Sequence, residues 1–152
     1  MKLAAIFSLE REQTVRRSLK EVFGFFSDPR NLEALTPSWL SFRVLESSSA
    51  EIEEGTTIDY SLRLHGISIR WKSRISSWNP PFEFVDEQVI GPYRSWVHRH
   101  SFSETDHGVL VRDRVDYSVL GGAFINRLFV RRDLERIFDQ RMKSLKTALP
   151  DE

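Results

Sequence analysis

The chain has 152 residues, 40% of them apolar and 12% aromatic, enough to build the core of one ordinary domain. Lys+Arg and Asp+Glu stand at 22 each, so no net charge draws the chain onto nucleic acid or an anionic membrane. The absence of cysteine excludes disulfides, thiolate nucleophiles and zinc–thiolate sites, and it fits a reducing compartment.

The N-terminal stretch Met1–Leu9 meets Glu10, Arg11 and Glu12 too early for a signal peptide. No apolar run approaches the ~18 residues of a membrane span. A soluble, cytoplasmic protein is expected, read as one domain over residues 1–152 without repeat, linker or low-complexity tract.

Residues Ala5 to Val15 read as a first strand, with Phe7, Leu9, Arg11, Gln13 and Val15 on one face. Ser18-x-x-Glu21 is a capping box ahead of Leu19, Val22, Phe23 and Phe26, so a short helix starts there. Asp28-Pro29 stops it and starts a second, with Leu32 and Leu35 on the buried side, ending at Thr36-Pro37. From Ser41 to Val119 the period switches to two. Strands are expected at Ser41–Ser47, Thr56–His65, Ile67–Trp78, Phe82–Ile90, Tyr93–Glu104 and Val109–Val119. The breaks between them are rich in Gly, Pro, Asn and Asp and too short for parallel crossovers, which predicts an antiparallel meander. After Gly121-Gly122 the helical period returns, with Val130, Leu134, Ile137, Phe138, Met142 and Leu145 as an apolar stripe on a helix from about Ala123 to Ala148. The basic residues of that helix, Arg141 among them, read as a solvated face.

The fold class is therefore α+β: a curved seven-stranded antiparallel sheet around a long C-terminal helix, with two short helices after the first strand. That order, together with Val22-Phe23-x-Phe25-Phe26-Ser27-Asp28, resembles the START-like (SRPBCC) superfamily of helix-grip domains. Three segments resemble one bacterial branch of ligand-binding SRPBCC proteins: Asn31-Leu32-x-x-Leu35-Thr36-Pro37, Gly91-Pro92-Tyr93-x-x-Trp96-x-His98-x-His100-x-Phe102 and Asp113-x-Val115-x-Tyr117. The resemblance implies a cavity between sheet and helix, of the kind found in polyketide cyclase/dehydrase-type domains.

Alternation assigns the faces. Trp96, His98, His100 and Phe102 share one face of the sixth strand, taken as inward for its aromatics. The seventh sets Asp113 among Val109, Val111, Val115, Tyr117 and Val119. The fifth offers Phe82, Phe84, Asp86, Gln88 and Ile90, the third Ile58, Tyr60, Leu62 and Leu64, and the fourth Ile67, Ile69, Trp71, Ser73 and Ile75. Apolar walls with a few convergent polar groups describe a small-molecule pocket. The candidate ligand-binding set is Tyr60, Trp71, Phe84, Asp86, Gln88, Trp96, His98, His100, Asp113 and Tyr117. The bland reading, a satisfied core network in which Asp113 accepts from His98 or His100, is compatible with it.

The leading function is binding or transport of a small hydrophobic or aromatic molecule. The alternative is a cyclase/dehydratase-type enzyme with His98, His100 and Asp113 as acid–base groups. No metal or cofactor is expected, because paired strand histidines are common without one and spacing fixes no third ligand. His65 and His107 read as turn residues, and Trp39 as either a gate at the cavity mouth or an exposed or tucked loop tryptophan. The polar outer face (Arg70, Lys72, Arg74, Arg99, Arg112, Arg114) argues against a protein-docking module.

Overall fold

The fold is described from a computed structural model covering residues 5–152. Residues 1–4 lie outside the described residues, and with them part of the N-terminal stretch read above against a signal peptide. Strand β1 (Phe7–Val15) alternates as its sequence demands, with Leu9 and Val15 buried and Ser8, Glu10, Glu12 and Thr14 exposed. Helix α1 (Leu19–Phe26) starts where Ser18 accepts a hydrogen bond from the Glu21 backbone N–H, and it buries Leu19, Val22, Phe23 and Phe26. Ser18→Ala is expected to cost about 1 kcal/mol of stability, measurable by denaturant unfolding, since it orphans one helix-terminal donor. Asp28 caps a 3-10 turn (Pro29–Asn31) through the Arg30 N–H, and α2 (Leu32–Leu35) follows directly.

Strands β2 (Arg43–Ser47), β3 (Thr57–Leu64), β4 (Ile67–Asn79), β5 (Glu83–Ile90), β6 (Ser95–Thr105) and β7 (Gly108–Ser118) complete the sheet. Its order is β1-β7-β6-β5-β4-β3-β2, all pairs antiparallel. The long meander thus returns β1 beside β7, while the two short helices carry the chain across to the far edge. Register shifts between β4 and β5, at Lys72/Ser73 and Ile75/Ser77, bend the sheet there. Of the face expected on β5, Phe84 is buried, but Phe82 precedes the strand and is exposed, as is Ile90 at its far end.

The closing helix departs from expectation in one feature. Its course runs from Gly122 as α3 (Gly122–Ile125), a π-helical turn (Asn126–Val130) and α4 (Arg131–Ala148). Gly121 and Gly122, at φ +86° and +57°, make the sharp entry, and a Cβ on Gly121 would sit 2.2 Å from Ile125 Cγ1. The π turn has a local cause. Buried Tyr117 donates its hydroxyl to Asn126 Oδ1 at 2.8 Å, so Asn126 must face inward together with Leu134. Eight residues of regular α-helix would rotate those positions about 80° apart, and the wider turn takes up that difference.

Two aromatic-rich clusters fill the interior. One gathers Phe23, Phe26, Phe84 and Phe102 under α1, and the other Trp71, Trp96, Tyr117, Leu134 and Phe138 under α4. The space between them holds the site. No helix among the described residues is long and apolar enough to cross a membrane.

Candidate functional site

A cavity of about 190 Å³ lies between the concave face of the sheet and α4. It exceeds the roughly 150 Å³ of an apolar cavity that admits benzene, so it has room for a substituted ring. Leu62, Ile69, Trp71, Trp96, Ile137 and Phe138 are among its apolar walls, and Asp86, His98, His100 and Arg141 supply charge at the wall. The aromatic walls brace one another. Trp71 meets Trp96 edge-on at 5.2 Å and lies parallel to Tyr60 at 5.9 Å.

The strand register determines the polar cluster. Asp86 sits directly opposite His98 across β5–β6, and Asp113 opposite His100 across β6–β7. The hydrogen bonds nevertheless run on the diagonals: His98 Nε2–H donates to Asp113 Oδ1 at 2.8 Å, and His100 Nε2–H to Asp86 Oδ2 at 2.6 Å. Each imidazole leans across the other, and the rings stack at 3.7 Å. Phe84 stacks on the other face of His100 at 4.1 Å. Ionised carboxylates only accept, so each Nε2 must carry a proton. His98 Nδ1 then faces Asp86 Oδ2 at 3.8 Å and His100 Nδ1 faces Asp113 Oδ1 at 3.4 Å, the latter buried and without a hydrogen bond.

Arg141 completes the group, its Nε 3.4 Å from Asp113 Oδ2 and its Nη2 buried without a partner among the described residues. Burial opposes ionisation of all four titratable members, and the neighbours decide the outcome. The Arg141 charge and both histidines hold Asp113 well below the usual carboxylate range, and the His100 hydrogen bond holds Asp86 below it. Burial and the charge of His100 push His98 down, whereas the nearby Asp113 and Asp86 carboxylates raise His100. Two carboxylates thus face the Arg141 guanidinium and both imidazoles across one buried cluster.

This arrangement fixes a pH dependence. Carboxylates lowered in the folded state stabilise it above their unfolded value of about 3.9, and that stability is lost as pH falls through the folded values. Raised His100 stabilises below about 6.5 and lowered His98 destabilises there, so the histidines oppose each other. The denaturant midpoint is expected to fall steeply below about pH 4, where the carboxylates protonate. An undiminished midpoint at pH 3 contradicts the ion pairing described.

Of the residues singled out in the sequence, Tyr60, Trp71, Phe84, Asp86, Trp96, His98 and His100 line the cavity. Asp113 lies behind the histidines, beside a small pocket shared with Gln13, Arg141 and Met142. Tyr117 is fully buried against Asn126. Gln88, near the end of β5, turns back to the β5–β6 turn, where its amide donates to Tyr93 O and accepts from Tyr93 N–H. Gly91 makes that possible, because a Cβ there would lie 2.4 Å from Gln88 Oε1.

Arg141 corrects the solvated-face reading: its side chain is 13% exposed. Its spacing carried the signal, three residues after Phe138 and four before Leu145, within the apolar stripe. Ser73 and Tyr93, also on the wall, were not among the sequence candidates. The 36–42 loop reaches the cavity through Thr36, Pro37, Leu40 and Phe42, while Trp39 is half-exposed under the Arg136 guanidinium at 5.0 Å. His65 bonds Asp133 at 2.9 Å on the surface, and His107 lies in the β6–β7 turn.

Asp86, His98 and His100 each offer one ligating atom within 4.8 Å of the others, a donor set that suits a divalent metal. Each Nε2 is already spent on a carboxylate, and Arg141 sets a fixed positive charge beside Asp113.

A family model described as polyketide cyclase / dehydrase and lipid transport matches residues 7–150. No curated protein matches the sequence. Among solved structures, a protein from Chromobacterium violaceum superposes with a TM-score of 0.75 at 13% identity, covering 96% of this chain and 99% of its own. Major latex-like protein 151 from Panax ginseng gives 0.73 at 12%, covering 95% and 98%. The di-domain ARO/CYC StfQ from the steffimycin biosynthetic pathway gives 0.71 at 13%, covering 95% of this chain and 51% of that one. At these identities the likeness is one of helix-grip fold.

Proposed function

The chain belongs to the polyketide cyclase / dehydrase and lipid transport family, and from that premise we propose that this domain is a cytoplasmic binding module for a small hydrophobic or aromatic molecule held between the sheet and α4. The observation that carries this is the uneven wall: aromatic and aliphatic surface nearly throughout, with Asp86, His98, His100 and Arg141 as the charged exceptions. Apolar area supplies affinity and a few fixed polar groups supply orientation. An anilinonaphthalene dye tests it. Saturable one-to-one binding to the native state, competed by small aromatics, supports the reading. Absence of saturable native-state binding by both dye and aromatics counts against it.

The stacked histidines support a second reading, a cyclase/dehydratase-type enzyme using the same cavity. His98 presents an unprotonated Nδ1 beside Asp86 while its Nε2–H is fixed by Asp113, the arrangement of an oriented general base. Under this reading His98→Ala or Asp113→Asn abolishes turnover of a substrate while leaving its binding largely intact. Retained turnover in both removes these residues from acid–base roles.

A further inference from the structure

Counting protons along the cavity wall shows what the polar end of the ligand must offer. Trp71 Nε1–H donates to Ser73 Oγ at 3.0 Å, and Tyr60 Oη lies 2.8 Å from the same Oγ. One hydroxyl proton closes the Tyr60–Ser73 contact. The other hydroxyl proton therefore has no acceptor among the described residues, and both residues line the cavity. Arg141 Nη2 is a second donor without a partner, on another side chain of the same wall. Asp86 is the wall's carboxylate, able to accept more than the one bond that His100 gives it.

The wall thus presents spare donors and an acceptor together, since Ser73 and Asp86 lie on one diagonal of the β4–β5 register. A carboxylate head would enter next to Asp86, with Asp113 behind, and although Arg141 Nη2 has a hydrogen bond to give, the Arg141 charge already faces Asp113. A cationic head would meet Arg141. In a site this poorly solvated, an unbalanced charge or an unpaired polar group costs more than a neutral hydrogen-bonded pair returns. A hydroxyl meets both demands with one atom, donating to Asp86 while accepting from the spare donor. The flat Tyr60, Trp71, Trp96 and Phe84 faces suit a ring.

Resting on the cavity-binding reading above, we propose that the ligand is an uncharged hydroxylated aromatic whose hydroxyl is bound between Asp86 and the Tyr60–Ser73 pair. Carboxylated and unsubstituted aromatics of the same shape are discriminated against. Calorimetry with 2-naphthol, 2-naphthoate and naphthalene tests this on the native chain, with Asp86→Asn as the companion variant. 2-Naphthol is expected to bind about tenfold or more tighter than either analogue. Asp86→Asn should bring its affinity down towards that of naphthalene, with naphthalene unchanged. Equal binding of 2-naphthol and naphthalene, or 2-naphthoate binding tightest, overturns the hydroxyl assignment and leaves the cavity reading standing. Failure of all three to bind overturns both.

Discussion

Asp113→Ala is expected to lower folding stability by about 3–5 kcal/mol, because it leaves a buried guanidinium without its counter-charge. Asp113 is 8% exposed and bonds His98, and it lies within ion-pair reach of Arg141. Removing it also frees His98 to turn, so the stacked pair loses the contact that sets its orientation. Arg141→Met in the same background should restore much of the loss, since the thioether chain fills similar volume and carries no charge. Urea unfolding of the single and double variants makes the measurement. If the double variant is no more stable than Asp113→Ala alone, the cost lies in packing and the ion-pair account fails.

Phe138→Ala is expected to cost a comparable 3–5 kcal/mol and to enlarge the binding site at the same time. Phe138 is buried on α4, lines the cavity and meets His98 edge-on at 5.5 Å. The comparison is Phe102→Ala. Phe102 is as deeply buried, but it packs with Phe23, Phe26 and Phe84 and does not line the cavity. Both variants should lose stability, and only Phe138→Ala should shift ligand preference towards larger rings. A shift of the same size in Phe102→Ala would mean that cavity shape is not set locally by α4.

The parts of the fold that follow from period and punctuation were legible in the sequence. Seven strands, the Ser18 and Asp28 caps and the glycine entry to the closing helix are written in residue spacing alone, and the inward set Trp96, His98, His100 and Phe102 follows from simple alternation. Register is not written there. Period two places Asp86, His98, His100 and Asp113 on facing surfaces, but only strand pairing decides that each histidine bonds on the diagonal and stacks on the other. The same limit explains Gln88, whose side chain turns back to the Tyr93 backbone through a gap that Gly91 leaves open. Arg141 was legible in principle. Its position sits in the apolar stripe, yet residue type argued for solvent, and the partner that justifies burial lies 28 residues earlier on β7. The π turn depends likewise on a Tyr117–Asn126 hydrogen bond between elements.

Native mass spectrometry of the freshly purified chain against a denatured control tests the binding reading most directly, with 2-naphthol added to a parallel sample. The account predicts one stoichiometric adduct, either carried through purification or formed with the added probe, that disappears on denaturation and weakens in Asp86→Asn. A chain that keeps its bare mass in both samples, or that takes up the probe in several copies unaffected by Asp86→Asn, contradicts a specific ligand site between the sheet and α4.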